Sequence, residues 1–398
     1  MALEKKWKFA LSIAELQFRI AFTAESEFRA IKIGTGVPRY NIMTRRLPAE
    51  WEAQSAIQFT FPHEDSDWAA MLDEVIPCFA RIIETVTRFQ KALVVCKNKE
   101  KTAQILLNAM KSREVGRGCN PDNLILVELP SNDTWARDHG GITVLEDGEP
   151  VILDFMFTGW GLKFPADKDN LITENLYKKG IFKAKRLEKT GLALEGGGIE
   201  SDGKGTLLTT AECLLSPNRN PHLSKRQLEN RLKKLFGVQR ILWLNHGYLA
   251  GDDTDSHIDT LARLCDENTI AYVKCDDIKD EHYEALKAME NELKGFNVIA
   301  SDSAATEGGQ PYKLVPLPMA EACFDEEGQR LPATYANFLI INGAVLVPTY
   351  GVPQDAEALE LLRGCFPDRE VIGLDCRPLI WQHGSLHCIS MQYPVGVV

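Results

Sequence analysis

Near the end of the chain, Cys388 follows a Gly-Ser turn and heads a short apolar run, in the stretch His383-Gly384-Ser385-Leu386-His387-Cys388-Ile389-Ser390-Met391-Gln392-Tyr393-Pro394. Imidazoles stand one and five residues before it. A thiol becomes a nucleophile as thiolate, which a neighbouring imidazolium or the N–H groups of a turn favour. Three other stretches carry complementary groups: Asn132-Asp133-Thr134-Trp135-Ala136-Arg137-Asp138-His139-Gly140-Gly141, Leu194-Glu195-Gly196-Gly197-Gly198, and Gly251-Asp252-Asp253-Thr254-Asp255-Ser256-His257-Ile258-Asp259. No other cysteine falls in these four stretches. Brought together, they would present carboxylates, an imidazole and a thiol to one pocket. Paired carboxylates suit a planar guanidinium, which they bind through charge-assisted, bidentate hydrogen bonds. A thiolate can attack the electron-poor guanidinium carbon. A histidine can protonate the departing nitrogen and later activate water.

Each stretch alone has a plainer reading. A cysteine entering a strand is most often a small core residue. The His-x3-His-Cys cluster lacks a second pair of ligands at zinc-site spacing. The acidic loop lacks the central glycine and closing glutamate of a calcium loop. The triple glycine is not followed by the Gly-Lys-Ser/Thr of a phosphate-binding loop. What sets the four apart is a shared position, each directly before a predicted strand or hairpin.

The elements that must position them follow from periodicity. Alternation predicts a strand over 55–62, a helical period covers 68–89 despite Pro77, and strands at 91–96 and 124–129 flank a helix over 101–111. Four hairpins come next. The first pairs 142–146 with 151–155 and precedes a helix at 171–179. The second includes 206–210 and leads to a helix at 224–236 and a strand at 240–244. The third pairs 260–264 with 269–273, before a helix at 280–293 and a strand at 297–300. The fourth pairs 338–341 with 344–347 across Asn342-Gly343, the strongest short-range hairpin signal in the chain, with a helix at 356–365 and a strand at 370–374 behind it. The opening segment completes a fifth unit if a last strand, 388–392, pairs with 55–61. Units that cannot bury their faces alone stack around a shared core, here a ring of five. Two conventional α+β domains are the competing architecture.

Length, composition and charge bound the rest. The 398 residues are 44% hydrophobic and 25% charged, a globular profile with a net charge of −11 that argues against nucleic acid or an anionic membrane as partner. No run approaches the roughly 18 apolar residues of a membrane span. Ten cysteines without a C-x-x-C pair read as reduced thiols of a cytoplasmic protein. Residues 1–42 carry seven Lys/Arg and four Asp/Glu, a balance of +3, which leaves −14 for 43–398. We expect 1–42 to be an N-terminal extension outside the fold and 43–398 to be the catalytic domain.

The W-A-R-D-H-G, L-E-G-G-G, D-D-T-D-S-H-I-D and H-C-I-S-M-Q-Y-P stretches resemble those of agmatine deiminases and the related bacterial peptidylarginine deiminases. The likeness runs from about Pro48 to Pro394 and includes the run T-T-A-E-C-L-L-S-P-N-R-N-P-H at 209–222. It implies the five-bladed, pseudo-symmetric α/β propeller of ββαβ units found in the guanidine-modifying superfamily. It also implies Cys388 as nucleophile, His257 as general acid/base, Glu195 as the group that binds and polarises the guanidinium, Asp138 and Asp259 as its carboxylate clamp, and Trp135 as a pocket wall. The implied reaction hydrolyses agmatine to N-carbamoylputrescine and ammonia, with no metal and no cofactor; oligomeric state is left open. The competing readings are the same chemistry on peptidyl-arginine or free arginine, a guanidino-ligand binding protein without turnover, and a metal-dependent hydrolase built on His257. Two departures from the family pattern stand out: H-G-S-L-H-C replaces G-G-N-x-H-C, and Asp255-Ser256 stands where Asn-Gly or Asp-Gly is usual. The loop 251–259 holds more acid than a clamp needs. Asp252, Asp253 and Asp255 either cap the following element and face solvent, or one of them, Asp253 foremost, meets the distal ammonium of agmatine.

Overall fold

In the computed structural model, residues 44–111, 118–298 and 309–398 are described, together with a two-residue backbone pairing of Ala30–Ile31 with Arg39–Tyr40. The chain divides into Met1–Thr44 and Arg45–Val398. The expected extension, 1–42, lies otherwise outside the described residues.

Within Arg45–Val398 one mixed α/β plan recurs in five sheets among the described residues: an antiparallel pair, a helix, and a strand returning parallel to the second member of the pair. The first hairpin pairs Ile142–Glu146 with Glu149–Met156; helix Ile172–Lys178 and strand Arg186–Ala193 follow. The second pairs Ile199–Ser201 with Thr206–Thr210, then helix Lys225–Phe236 and strand Arg240–Leu244. The third is Ala262–Asp266 with Thr269–Lys274, helix Tyr283–Lys294 and strand Lys313–Pro318. The fourth is Leu339–Ile341 with Ala344–Thr349, helix Gln354–Cys365 and strand Glu370–Asp375. In the remaining sheet the C-terminal strand Ser390–Pro394 lies antiparallel to Gln54–Thr60, with Ser390 opposite Phe59. Strand Lys91–Cys96 lies parallel to Gln54–Thr60 after helix Leu72–Thr87, and Leu124–Glu128 adds a fourth strand after helix Lys99–Lys111.

Local chemistry explains why these residues form these elements. Lys91–Cys96 is buried at all but its first residue, as a central parallel strand covered on both faces must be. Helix Lys225–Phe236 starts at a reciprocal Ser224/Gln227 capping box and buries Leu228, Leu232 and Phe236 at four-residue spacing. It ends at Gly237, whose φ of +67° and whose Cβ position 1.7 Å from the Arg45 carbonyl oxygen admit no side chain.

Two expectations fail here. The strand expected to close the third sheet at 297–300 is not formed at 297–298, and residues 299–300 lie outside the described residues. Asn297 makes only an isolated bridge to Pro311, and the closing strand is Lys313–Pro318. It carries Pro316 and Pro318, which reads against a strand, yet it is an edge strand, where a missing N–H is tolerated. The last strand begins at Ser390 rather than Cys388, so the cysteine sits in the turn ahead of it. No helix among the described residues is long and apolar enough to cross a membrane.

Candidate active site

The segments just before the antiparallel pairs meet. Asp138 belongs to the single turn Ala136–His139, Glu195 is the N-cap of the 3-10 turn Gly196–Gly198, His257 is the N-cap of the 3-10 turn Ile258–Thr260, and Cys388 stands two residues before its strand. Glycine permits the approach. A Cβ on Gly197 would lie 2.7 Å from His257 Nδ1 and 2.9 Å from Asp138 Oδ1, and a Cβ on Gly384 would lie 2.1 Å from the Trp135 ring.

Cys388 is buried, and its Sγ lies 3.2 Å from Asn337 Nδ2 and 3.8 Å from Asp259 Oδ2. Burial drives its thiol well above the ordinary value, and the nearby Asp259 and Asp138 carboxylates add to the shift. The resting sulfur is therefore a neutral thiol. Burial also works against charge on His257, but Asp138, with Oδ1 3.7 Å from Nδ1, and Cys213 outweigh it and hold the imidazole well above its ordinary value. Neither His257 ring nitrogen has a hydrogen-bond partner among the described residues. The site thus rests with its proton on the imidazole and a neutral sulfur, an acid waiting for a leaving group.

The two expected clamp carboxylates are present and differ. Asp138 accepts from Gly197 N at 3.0 Å and from Trp160 Nε1 at 2.9 Å. Burial pushes its pKa to about 6, although His257 pulls the other way. Burial also acts on Asp259, but His387 Nδ1, 2.7 Å from Oδ2, helps to hold it below the ordinary carboxylate value. Its Oδ1 is buried and has no hydrogen-bond partner among the described residues.

Beside these groups opens a cavity of about 150 Å³ whose wall includes Trp135, Asp138, Trp160, Asp253 and Cys388. Asp67, Asp133 and His383 also border it, and no lysine or arginine among the described residues does. Trp135 leans on Trp68 with ring centroids 5.7 Å apart. Asp133 accepts from Trp68 Nε1 at 2.9 Å and from Thr134 N at 2.7 Å, and burial lifts its pKa to about 7.

Of the three extra aspartates, only Asp253 borders the cavity. Asp252 caps its own loop, accepting from Thr254 N at 3.2 Å and Ser256 N at 2.7 Å. Asp255 takes Arg219 Nη1 at 2.5 Å and Lys163 Nζ at 2.7 Å. Asp255 and Ser256 both have positive φ, +66° and +60°. That is the conformation for which the usual glycine in this loop is suited.

Glu195, like Asp259, is buried and does not border the cavity. Arg219 Nε donates to its Oε2 at 2.8 Å, its Oε1 has no hydrogen-bond partner among the described residues, and its carboxylate lies in a buried group with His257 and Cys213.

Sequence reasoning also misses four participants. Asn337, directly before the fourth hairpin, donates to Cys388 Sγ and to the Asp259 carbonyl oxygen. The same positional argument that picks out the other stretches would have found it. Arg219 and Cys213 lie in the 209–222 run but carry no spacing signal. Trp160, which fixes Asp138, has none either.

The profile of the Porphyromonas-type peptidyl-arginine deiminase family matches residues 46–394. The agmatine deiminase of Medicago truncatula is 32% identical over 378 residues, 87% of this chain and 96% of that protein. Among solved structures, a Porphyromonas gingivalis protein provisionally named an arginine deiminase is 54% identical with a TM-score of 0.80, covering 89% of this chain and 99% of that one. A cysteine-to-serine variant of C. jejuni agmatine deiminase with substrate bound is 36% identical with a TM-score of 0.79, covering 89% and 98%.

Proposed function

The chain belongs to the Porphyromonas-type peptidyl-arginine deiminase family, and from that membership and the chemistry of its cavity we propose that it is an agmatine deiminase. It is a hydrolase of C–N bonds that converts agmatine to N-carbamoylputrescine and ammonia. The observation that carries the choice of substrate is the cavity wall: Asp138 and Cys388 share it with Asp67, Asp133 and Asp253, and no lysine or arginine among the described residues borders it to hold an α-carboxylate. Agmatine is cationic at both ends and fits that pattern; arginine is not.

In this reading the guanidinium settles between Asp138 and the free Oδ1 of Asp259. Its charge stabilises the thiolate, and the Cys388 proton leaves to water as the cation arrives. Sulfur attacks the guanidinium carbon, and the carbon–nitrogen bond breaks as imidazolium His257 protonates the departing nitrogen. Ammonia leaves, and a cationic amidino-thioether remains on Cys388. Neutral His257 then takes a proton from water as the oxygen adds to that carbon. Collapse of the adduct forms the carbonyl, expels the sulfur and releases the ureido product with a proton. Glu195, held by Arg219 through Oε2, has an unpartnered Oε1 in keeping with its expected role of binding and polarising the guanidinium. Trp135 and Trp160 wall the aliphatic chain, and Asp253 receives the distal ammonium. The substrate-bound cysteine-to-serine variant of the C. jejuni relative supports the cysteine nucleophile. The ten cysteines, none of them in a disulfide, support a cytoplasmic setting. Five sheets of one plan, with the last strand paired to the first sheet, support reading the fold as a five-bladed α/β propeller.

The P. gingivalis relative's name keeps arginine as a second substrate reading. Measuring ureido product from agmatine, arginine and a blocked arginine peptide separates them. We expect agmatine to lead by at least about tenfold in kcat/KM, the worth of one charged hydrogen bond, and Asp253→Asn to erode that lead. Equal efficiency on agmatine and the peptide would overturn the assignment.

A further inference from the structure

Beneath the carboxylate clamp lies a buried charge cluster that the reaction above does not use. Glu50, just ahead of strand Gln54–Thr60, places Oε2 2.8 Å from Arg263 Nη2, 2.8 Å from His387 Nε2 and 3.9 Å from Arg137 Nη2. Its Oε1 accepts from Ile340 N at 2.7 Å. Across the imidazole, His387 Nδ1 lies 2.7 Å from Asp259 Oδ2. The side chains of His387, Asp259 and Glu50 are 1%, 0% and 7% exposed, so no water competes for these contacts.

An ionised carboxylate only accepts hydrogen bonds, and only an imidazolium donates from both ring nitrogens. Burial alone would protonate Glu50, yet Arg263 and His387 hold it below the ordinary range, and Asp259 is held down as well. Two anions therefore grip one ring. That grip fixes Asp259 so that Oδ2 is occupied and Oδ1 is free. It also reaches the nucleophile, because Asn337 Oδ1 accepts from both His387 N at 2.8 Å and Cys388 N at 3.3 Å.

We propose that His387 is a positioning residue, an imidazolium strut between Glu50 and Asp259 that keeps Asp259 ionised and turns its one free oxygen to the guanidinium. The other charged or titratable groups around the ring are Glu200, Arg263, Arg137 and Cys388. Glu200 is bonded to Arg263, and Arg137 Nε points to the His387 carbonyl oxygen at 3.4 Å.

Removing the charge of Glu50 weakens the hold on His387 Nε2, and losing the ring removes the partner of Asp259 Oδ2. In Glu50→Gln, KM for agmatine should rise by about ten- to a hundredfold near neutral pH, with kcat changed less. His387→Gln should show the same loss, and the double variant should fall little below His387→Gln alone, because both act through Asp259. A role in packing alone would show no such split between KM and kcat and would make the two losses add.

These kinetic arms rest on the deiminase reading, so the deciding measurement does not. In the full chain labelled with ¹⁵N-histidine, one of the eight imidazoles should carry a proton on both ring nitrogens at neutral pH, each bonded to a carboxylate, and vanish in His387→Gln. In Glu50→Gln the Nε2 proton of that ring should lose the signature of its charged acceptor. A His387 signal with a single ring proton at neutral pH, or one unmoved in Glu50→Gln, overturns the proposal. Should His387→Gln fail to fold, the Glu50→Gln spectrum decides alone. A wild-type chain inactive on agmatine but carrying the doubly protonated His387 would sink the substrate assignment and leave the strut standing.

Discussion

Two thiols lie beside the imidazole–carboxylate cluster, and only Cys388 borders the cavity; Cys213 is buried behind His257 with Glu195. Cys388→Ser should lower kcat by at least about a thousandfold, as loss of a nucleophile does. Cys213→Ser, which keeps a hydrogen-bonding hydroxyl, should cost at most about tenfold. Acid-quenching turnover and mapping the mass increment checks this: an adduct on the Cys213 peptide would remove Cys388 from the mechanism. The carboxylates set the acid limb. Asp138 is charged above about 6 and Asp133 above about 7, each lifted by burial, so binding of a doubly cationic substrate improves as pH rises through that interval. We expect kcat/KM, which reports the free enzyme, to climb through that interval and to steepen beyond a slope of one on its acid side, and Asp133→Asn to hold the slope there near one. The limb in kcat should lie lower, because bound guanidinium favours the charged carboxylates. An unchanged slope in Asp133→Asn would take that aspartate out of the binding wall. The types of these groups are legible in sequence because each precedes a strand. Their supporting partners are not: Arg219 reaches Glu195 from 24 residues away, Trp160 reaches Asp138 from 22, and Asn337 reaches Cys388 from 51. No local pattern encodes those contacts.

The turn Gly196–Gly198 shows how an element, and not only its polar residues, makes the site. Gly197 N holds Asp138 while its missing Cβ leaves room for His257, Asp138 and Asp259 to approach one another. Gly197→Ala would put a methyl 2.7 Å from His257 Nδ1, 2.9 Å from Asp138 Oδ1 and 3.1 Å from Asp259 Oδ2. The side chains it meets are the catalytic ones, so they must give way, and a misplacement of about 1 Å costs on the order of a hundredfold. We expect a loss of that size in kcat/KM with a melting temperature close to that of the parent. A variant of near-normal activity would show that the three groups need not be so close. Elements with strong local signals are legible: the capped helix Lys225–Phe236 and the Asn342-Gly343 hairpin fall where periodicity and turn chemistry put them. Lys313–Pro318 is hidden because its pairing with Thr269–Lys274 is decided by an edge position that composition cannot reveal. Cys388 sits in a turn, not a strand, because Asn337 Oδ1 takes the N–H groups of His387 and Cys388, and Ser390 N turns back to the His387 carbonyl oxygen.

At the scale of the whole molecule, the site depends on sequence ends meeting. Ser390–Pro394 pairs with Gln54–Thr60, and Glu50 reaches His387 across 337 residues. The repeat count in the sequence anticipates five units because each supplies its own hairpin and helix, whereas their joining through the last strand is visible only as an option. The same contacts define where the necessary chain begins. Arg45 Nη2 binds Glu146 Oε2 at 2.7 Å and Glu188 Oε2 at 3.0 Å, Arg45–Arg46 pairs with Ile142–Glu146, and Arg46 meets Glu52 Oε1 at 2.6 Å. The family match likewise opens at residue 46, and the chain divides at Thr44. Residues 1–42 carry +3 against −14 for the remainder and contribute none of the groups argued to act on substrate. A chain starting at Met43 should therefore keep its kcat/KM on agmatine within about twofold and its melting temperature within about 2 °C, a change of order 1 kcal/mol for a domain this size. Deleting further, through Glu50, should behave differently. It removes the arginine pairing and one of the two anions on His387, so both melting temperature and activity should fall. Thermal unfolding and steady-state kinetics on the two truncations check this. Loss of either property in the chain starting at Met43 would mean that residues 1–42 belong to the working enzyme.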